Sequence, residues 1–316
     1  MKFIFRNIIL VNIIFLLNSL ALSNNFSSWV MGLETEVKSF GVSQQTYKKT
    51  LGQLKSVNKK VLKLYNNQPE FKITFDDYYN RNINLKRIDL GKSLLKKHKK
   101  ILQEIYLKYK VPPEVIVSIW GIETNYGNYM GDFNIIEALA TLAYASKRKS
   151  FFKKELINSL LIYEKNFKNS EKIMLGSWAG AMGQSQFMPS SFLNYAVDYD
   201  KDGFIDIWNS KKDIFASIAN YLKQHGWKEG IYWSNEIKLK EKIEKEGYYD
   251  VSILSEISVL DNQQNLDKIK IKVIKNNANK RFFAIFKNFY IVKKYNNSDY
   301  YALIIGELAN KIKLNN

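Results

Sequence analysis

Glu123 is the side chain whose type and position most strongly indicate acid–base chemistry. On a helix, Ile116, Ile119, Trp120 and Glu123 are spaced i, i+3, i+4 and i+7, which places all four on one face. A carboxylic acid on an apolar face loses the water that stabilises its charge, so its pKa rises and it can stay protonated near neutral pH. The position therefore predicts a general acid. The alternative is a partly exposed glutamate at a helix end that has no chemical role.

A second candidate site is the segment Gly176–Ser191, which is rich in small and amide-bearing residues. Its glycines would let the backbone approach a ligand closely. Its serine and glutamine side chains offer neutral donors and acceptors that suit sugar hydroxyls and N-acetyl groups. The pattern predicts a carbohydrate-binding groove, although a tight crossing of two helices that needs only small residues would explain the same composition.

The segment 198–209 fits the calcium-binding loop of an EF-hand. Side-chain oxygens fall at loop positions 1, 3, 5 and 9, glycine is at position 6, and position 7 would supply a backbone carbonyl. The predicted ligands are Asp198, Asp200, Asp202, Phe204, Asp206 and Asn209. Asn209 stands where a bidentate glutamate is usual, so we expect a structural Ca²⁺ bound with modest, roughly millimolar affinity. An acidic turn without metal is the alternative.

Helices are predicted around all three sites. Apolar residues keep helical spacing through 26–110, and Pro112-Pro113 suit the first turn of the next helix. The helical pattern then continues to Gly226 and includes a Ser210–Asp213 capping box directly after the acidic loop. A last helix is predicted over 301–312.

Strands are predicted for one late region of the chain. Residues 269–274 alternate apolar and polar side chains with period two, and 283–286 and 289–292 also have the pattern of short strands. The sequence therefore predicts an α+β fold that is mainly α.

Composition excludes several kinds of protein and of site. The 316-residue chain has no cysteine and two histidines, which excludes disulfides, thiolate metal sites and a cysteine nucleophile, and disfavours a histidine-built zinc site. Its 48 Lys and Arg against 30 Asp and Glu give a net charge of +18, which favours a polyanionic partner. Nucleic acid is not expected, because lysines dominate, are spread widely and accompany no recognition motif.

Residues 1–23 have the pattern of a secretory signal peptide. Lys2 and Arg6 precede an interrupted apolar run, and Ala21-Leu22-Ser23 supplies the small residues of a cleavage site. The run is shorter than the about 20 apolar residues of a membrane anchor. We therefore expect cleavage, a mature chain that starts near Asn24, and a periplasmic protein. An uncleaved signal that tethers the protein to the membrane is the alternative, and the absence of cysteine argues against a lipoprotein.

Several motifs follow one another along the chain. They are Val111–Gly127 around Glu123, Ala138–Ala143, Gly180–Ser190, the 198–209 loop, Ile218–Trp227, Tyr295–Ser298 and Tyr301-Ala302. In this order they resemble the B-type lytic murein transglycosylases, which form glycoside hydrolase family 103. The resemblance covers nearly the whole chain after residue 23 and is weak over 231–280.

The resemblance implies a domain organisation. It places a helical domain over 24–110, a lysozyme-like catalytic core over 111–230, a small antiparallel β domain over 231–280, and a final strand and helix that complete the core over 281–316. It also implies that peptidoglycan is cleaved at the β-1,4 bond between N-acetylmuramic acid and N-acetylglucosamine, with a 1,6-anhydro product.

The resemblance also implies roles for individual residues. Glu123 would be the only catalytic carboxylate and would act first as acid and then as base. The implied substrate contacts are Ser177, Gln186, Tyr295, Asn296 and Tyr78. For Tyr295 and Tyr78, simple packing is the alternative.

Two other functions compete with this interpretation. A hydrolytic muramidase would need a positioned water and usually a second carboxylate; Asp132 and Glu137 are nearby in sequence, but nothing marks either as catalytic. A non-catalytic peptidoglycan-binding protein could spare Glu123. We expect peptidoglycan glycan strands as the partner, a monomer with peripheral envelope association, bound Ca²⁺ and no organic cofactor.

Overall fold

The structure is a computed structural model that describes residues 25–67, 73–167, 173–238, 245–250, 270–275 and 280–314. The chain divides into two units, each built from two stretches of sequence: the first from Met1–Pro69 and Met130–Asn194, the second from Glu70–Tyr129 and Tyr195–Asn316. These borders differ from the predicted domain borders after residues 110, 230 and 280, which stay predictions.

The elements follow in the order α1 (25–32), α2 (Glu34–Ser39), α3 (Gln44–Lys49), a 3-10 turn (Leu51–Gln53), α4 (Lys59–Asn66), α5 (Phe75–Asn82), α6 (Leu85–Lys97), α7 (Lys99–Tyr109), α8 (Pro113–Thr124), β1 (Phe133–Asn134), α9 (Ile135–Ala145), α10 (Lys149–Ile162), a π-helical turn (Tyr163–Phe167), β2 (Leu175–Gly176), α11 (Pro189–Tyr195), α12 (Lys211–Gln224), β3 (Ser234–Ile237), β4 (Gly247–Asp250), β5 (Lys270–Lys275), β6 (Lys280–Ile285), α13 (Lys287–Tyr295) and α14 (Asp299–Ile312). Helices thus make up most of the described chain, which confirms the mainly helical α+β fold.

In the first unit, helices α9 and α10 form the most extensive helix contact, and α4 packs against α9. Strands β1 and β2 pair antiparallel beside them. Glu164 in the π-helical turn accepts hydrogen bonds from the backbone N–H and hydroxyl of Ser43 at 3.0 and 2.7 Å, which fastens the start of α3 to the end of α10.

In the second unit, α8 lies at the centre and contacts α6, α7, α12 and α14. This position explains why its sequence is apolar on nearly every side, from Val115 to Trp120. The late strands form one antiparallel sheet in the order β3-β6-β5-β4. One face of that sheet buries Ile237, Ile271, Val273 and Ala284 together with Phe286.

Two of the predicted strands are confirmed and one is wrong. Strand β5 corresponds to the predicted 269–274 and β6 to the predicted 283–286, but 289–292 lies inside helix α13. The burial follows helical spacing: Asn288, Phe289, Ile291 and Val292 are buried, whereas Tyr290 is exposed. Four consecutive apolar residues cannot separate a strand from a buried helix by periodicity alone.

Residues 1–23, predicted to be a signal peptide, lie outside the described residues. In the part of the chain that the structure describes, no helix has both the length and the apolar character needed to cross a membrane.

Candidate active site

Glu123 lies in the last turn of α8. Its predicted neighbours on the apolar face, Ile116, Ile119 and Trp120, are all buried, whereas Glu123 keeps partial solvent exposure. Pro113 occupies the first turn of the helix, where its missing N–H costs nothing. Helix α8 thus runs through the middle of the unit and ends with a carboxyl group that solvent, and therefore a substrate, can reach.

The chain leaves α8 through three consecutive residues in the left-handed region: Asn125 (φ 49°), Tyr126 (φ 60°) and Gly127 (φ 83°). Such a conformation is unfavourable for the first two and persists only where the surroundings fix it. The Thr124 hydroxyl helps to fix it, because it accepts a hydrogen bond from the Gly127 N–H at 3.1 Å.

Tyr126 holds this turn from the other side. Its hydroxyl donates to the backbone carbonyl of Arg87 at 2.9 Å, and its ring lies in a slot formed by two glycines. A Cβ atom added at Gly121 would lie 2.5 Å from the ring, and one added at Gly91 would lie 2.6 Å from the hydroxyl. The glycines therefore allow the close packing that fixes the helix end carrying Glu123.

The Glu123 carboxylate accepts a hydrogen bond from the Tyr301 hydroxyl at 2.7 Å. Tyr301 lies in the first turn of α14 and is 2% exposed. Burial and the neighbouring Glu123 raise the pKa of Tyr301 well above its ordinary value, so the phenol stays protonated and can keep donating. Tyr301 lies in one of the motifs but was not predicted to contact Glu123, because 178 residues separate the two in sequence.

Burial raises the pKa of Glu123 to about 7, and the hydrogen bond from Tyr301 acts in the opposite direction. Among the described residues, no lysine or arginine forms an ion pair with Glu123. The carboxyl group can therefore hold a proton at neutral pH and also release it there. This is the behaviour that the helix position predicted.

Tyr295 and Tyr78 lie close enough to Glu123 for its charge to raise the pKa of both phenols, in addition to the larger effect of burial. The Tyr295 ring packs against Tyr221 with centroids 4.9 Å apart. The Tyr78 ring packs against Tyr300 at 6.1 Å. Both predicted tyrosines thus lie within electrostatic range of the carboxyl group, and both also pack against neighbouring rings.

Asn296 follows Tyr295 at the C-terminal end of α13. The residue is exposed, and its backbone carbonyl accepts a hydrogen bond from the Ser298 N–H at 2.7 Å. The structure therefore places Asn296 next to the tyrosine in sequence. Its predicted contact with the substrate stays a prediction.

Ser177 and Gln186 belong to the first unit. The Ser177 hydroxyl accepts from the Ala181 N–H at 3.0 Å, and the Gln186 amide donates to the carbonyls of Met130 and Gly183 at 3.0 and 2.8 Å. Both side chains are partly exposed and hold the turns of the 176–188 segment together. Their predicted contacts with a substrate stay predictions.

The small residues of this segment serve close packing of the backbone in turns, not a crossing of two helices. A Cβ atom at Gly176 would collide with the Ala181 carbonyl, and one at Gly180 would lie 2.5 Å from Leu139. The packed elements are turns and isolated bridges between Gly176, Met182 and Phe187, so the predicted helix crossing is absent here, and the predicted carbohydrate-binding groove stays a prediction.

The acidic loop brings three predicted calcium ligands together. One carboxylate oxygen from each of Asp198, Asp200 and Asp202 lies within 4.8 Å of the others. Asp198 also accepts from the N–H groups of Asp202 and Gly203 at 3.2 and 2.9 Å, which curls the chain around it. Three adjacent carboxylates repel one another unless a cation lies between them, and hard oxygen ligands of this kind fit Ca²⁺.

Asp206 and Asn209 are arranged differently. Asp206 accepts from the N–H groups of Trp208 and Asn209 at 2.9 and 2.8 Å, and the Asn209 amide nitrogen approaches the same carboxylate at 3.2 Å. The structure does not bring Asp206 into the group of three aspartates. Ligation by Asp206, Asn209 and the Phe204 carbonyl therefore stays a prediction.

Asp213 was predicted only as a member of the capping box, but it also holds the acidic loop. Ser210 accepts from the Asp213 N–H, as a capping box requires. However, the Asp213 carboxylate accepts from the N–H groups of Tyr199 and Asp206, both at 2.8 Å. It thus ties the loop to α12 at two points, Tyr199 and Asp206. Its burial, which only the folded structure reveals, raises its pKa to about 6.

Comparison with known proteins places this arrangement in a family. Residues 25–310 match the family model described as the transglycosylase SLT domain. The chain is 29% identical over 303 residues to membrane-bound lytic murein transglycosylase B of Escherichia coli K12, covering 89% of this chain and 81% of that protein.

Solved structures show the same likeness. The structure of SltB3 from Pseudomonas aeruginosa in complex with NAG-anhNAM-pentapeptide matches with a TM-score of 0.80 and 32% identity, over 91% of this chain and 79% of that one. Lytic transglycosylase Slt35 of E. coli in complex with calcium matches with a TM-score of 0.73 and 30% identity, over 92% and 93%. The chain belongs to the transglycosylase SLT domain family of lytic murein transglycosylases.

Proposed function

We propose that this lytic transglycosylase cleaves the β-1,4 bond between N-acetylmuramic acid and N-acetylglucosamine without water, using Glu123 first as acid and then as base. The observation that carries the proposal is the Glu123 carboxyl itself: buried enough to raise its pKa to about 7, accessible enough to meet a substrate, and hydrogen-bonded to Tyr301. A group with a pKa near the working pH is suited to both donating and accepting a proton.

In the first step, protonated Glu123 would donate its proton to the glycosidic oxygen while the bond from C1 to that oxygen breaks. The leaving sugar thereby departs as a neutral alcohol. The carboxylate that remains is stabilised by the Tyr301 hydroxyl, because a hydrogen bond to a charged acceptor strengthens as charge develops. Tyr301 thus assists proton donation although it donates no proton to the substrate.

In the second step, the C6 hydroxyl of the muramic acid residue would attack C1 and lose its proton to the Glu123 carboxylate. A bond from C1 to O6 forms, the 1,6-anhydro ring closes, and Glu123 returns to its protonated state. Atoms and charge balance without a water molecule.

The substrate assignment draws support from the relatives. SltB3, at 32% identity, is known in complex with NAG-anhNAM-pentapeptide, whose anhydro sugar is the kind of product proposed here. It is also known in complex with NAG-NAM-pentapeptide. We therefore extend the predicted contacts of Tyr78, Tyr295, Asn296, Ser177 and Gln186 to the sugars of a peptidoglycan strand.

We also propose that the acidic loop binds Ca²⁺. The fit of Asp198, Asp200 and Asp202 to a hard cation supports this, and Slt35 is known in complex with calcium. Phe204, Asp206 and Asn209 would complete the ligand set. When bound, the ion would neutralise the mutual repulsion of the aspartates and hold the loop against α12 through Asp213.

The setting of the reaction is a further part of the proposal. A peptidoglycan-cleaving enzyme must meet its polymer in the cell envelope, so we propose that the chain acts in the periplasm after export by the 1–23 signal, as a monomer. Loss of Lys2 and Arg6 with the signal lowers the net charge from +18 to +16, and this charge would favour peripheral association with anionic envelope surfaces.

Digestion of purified peptidoglycan followed by mass analysis of the fragments tests the proposal. The wild-type protein is expected to release anhydromuropeptides, and Glu123→Gln is expected to abolish them. Glu114→Gln, a variant in the first turn of the same helix, serves as the matched control and should remain active. Fragments with reducing ends would indicate a hydrolytic muramidase, and an absence of fragments from the wild type would indicate a binding protein.

A further inference from the structure

Asp299, the first residue of α14, receives hydrogen bonds from three side chains of other elements. Its Oδ1 atom accepts from Lys293 Nζ of α13 at 2.6 Å and from the Tyr248 hydroxyl of β4 at 2.5 Å. Its Oδ2 atom pairs with Lys272 Nζ of β5 at 2.9 Å. We call this group of four residues the Asp299 clamp. It fastens the start of α14 to the small sheet and to α13.

The ion pairs of the Asp299 clamp are largely shielded from water, whereas Tyr248 is 39% exposed. The Lys272 side chain is 8% exposed and that of Asp299 is 21% exposed. Burial raises the pKa of Asp299, but the hydrogen bonds from Lys293, Tyr248 and Lys272 outweigh it and bring the pKa to about 2. A buried ion pair contributes little net stability, because the loss of hydration offsets the attraction, but its short contacts fix Asp299 relative to β5 and α13.

The position of Asp299 matters for Tyr301, which lies two residues later in the same first turn of α14. The first N–H groups of a helix have no partner within the helix, so its first turn depends on caps and side chains for order. The Ser298 hydroxyl accepts from the Tyr301 N–H at 3.4 Å, which is long for a cap. Asp299 is thus the stronger anchor of the turn from which Tyr301 donates to Glu123.

We propose that Asp299 is a positioning residue: held by Lys272 and Lys293, it fixes the first turn of α14 and so keeps the Tyr301 hydroxyl against Glu123. The inference rests on the proposed function of Glu123 and extends it, because it makes the small sheet a determinant of how that carboxyl group ionises. Asp299 acts through Tyr301 and touches neither the substrate nor Glu123.

Other ionisable groups surround both carboxylates. The ionisable groups that interact with Asp299 are Lys272, Lys293, Tyr248, Tyr290 and Tyr300. The tyrosines that interact with both Tyr301 and Glu123 are Tyr295 and Tyr78. Two mechanisms therefore predict opposite results when Asp299 loses its charge. Loss of a nearby negative charge, acting directly, would lower the pKa of Glu123. Loss of the Tyr301 hydrogen bond would raise it.

The pH dependence of kcat/KM for soluble glycan fragments separates these mechanisms. The alkaline limb reports loss of the proton from Glu123. We expect Asp299→Asn to move this limb upward by up to about one pH unit, toward the position seen with Tyr301→Phe. The double variant should match Tyr301→Phe alone, because the hydrogen bond can be lost only once. Asp250→Asn, which breaks the exposed pair with Lys270 on the same sheet, should leave the limb unmoved.

A second variant covers the case in which Asp299→Asn does not fold. Tyr248→Phe removes one arm of the Asp299 clamp without changing any charge and without leaving buried Lys272 unpaired, and should give a smaller upward shift. A lowered melting temperature with an unchanged limb in both variants would overturn the proposal, as would a downward shift. If Glu123→Gln is inactive while the alkaline limbs of the clamp variants are unchanged, only the proposed role of Asp299 is wrong. An active Glu123→Gln variant would overturn the proposed function itself.

Discussion

The raised pKa of Glu123 has a consequence for stability that can be measured without substrate. The pKa rises from 4.5 to about 7 on folding, a difference of about 2.5 units, and each unit corresponds to about 1.36 kcal/mol. Between these two values the folded protein binds more protons than the unfolded chain, so the free energy of unfolding falls as pH rises. Above pH 7 the ionisation of Glu123 lowers the free energy of unfolding by its full amount, up to about 3 kcal/mol.

Glu123→Gln should remove this cost. The amide is neutral at every pH, has nearly the same shape, and can still accept the hydrogen bond from Tyr301. We therefore expect the variant to gain stability over the wild type as pH rises from 4.5, with a plateau near 2–3 kcal/mol above pH 7. At pH 4 the two proteins should differ little from this effect, because Glu123 is then mostly protonated in both the folded and unfolded states.

Urea unfolding at a series of pH values from 4 to 8.5 measures the difference directly. Glu114→Gln is the control on the same helix, because Glu114 lies in the first turn, away from Tyr301. Its difference from wild type should show no comparable rise with pH. Parallel curves for Glu123→Gln and wild type across the whole range would refute the reasoning, because they would mean that Glu123 has the same pKa in the folded and unfolded states.

Three further predictions concern the neighbours of this site and the acidic loop. Tyr301→Phe should move the alkaline limb of the pH–rate profile up by about one to two units, because a hydrogen bond to a charged acceptor is worth about 1.5–3 kcal/mol; an unmoved limb would contradict this. Ca²⁺ should raise the melting temperature of the wild type but not of Asp198→Ala, and an equal rise in both would mean that the loop is only a turn. Gly121→Ala should lower the free energy of unfolding by about 1–3 kcal/mol, because its Cβ would meet the Tyr126 ring at 2.5 Å, whereas Gly32→Ala meets no atom within 4 Å and should not destabilise.

The sequence was sufficient to predict the features that depend on local spacing. Glu123 could be predicted because its place on an apolar helix face is set by residues three, four and seven positions before it. The clustering of Asp198, Asp200 and Asp202 follows in the same way from a loop of fixed length. Both are properties of a short stretch of chain.

Features that depend on the packing of distant segments could not be predicted. Tyr301 meets Glu123 only because α14 packs against α8, and the sequence gives no signal for that pairing. Asp299 likewise gains its partners from β4, β5 and α13. The false strand at 289–292 has a related cause: burial on a helix and on a strand look alike over four apolar residues, and the packing of α13 decides between them.

Digestion of peptidoglycan in water enriched in ¹⁸O is the most direct test of the claim that Glu123 transfers a proton from the C6 hydroxyl and not from water. We predict muropeptides that carry the 1,6-anhydro ring and no ¹⁸O, formed by the wild type and by Glu114→Gln but not by Glu123→Gln. Products that carry one ¹⁸O atom at the reducing end would contradict the claim, because they would show that water attacks C1.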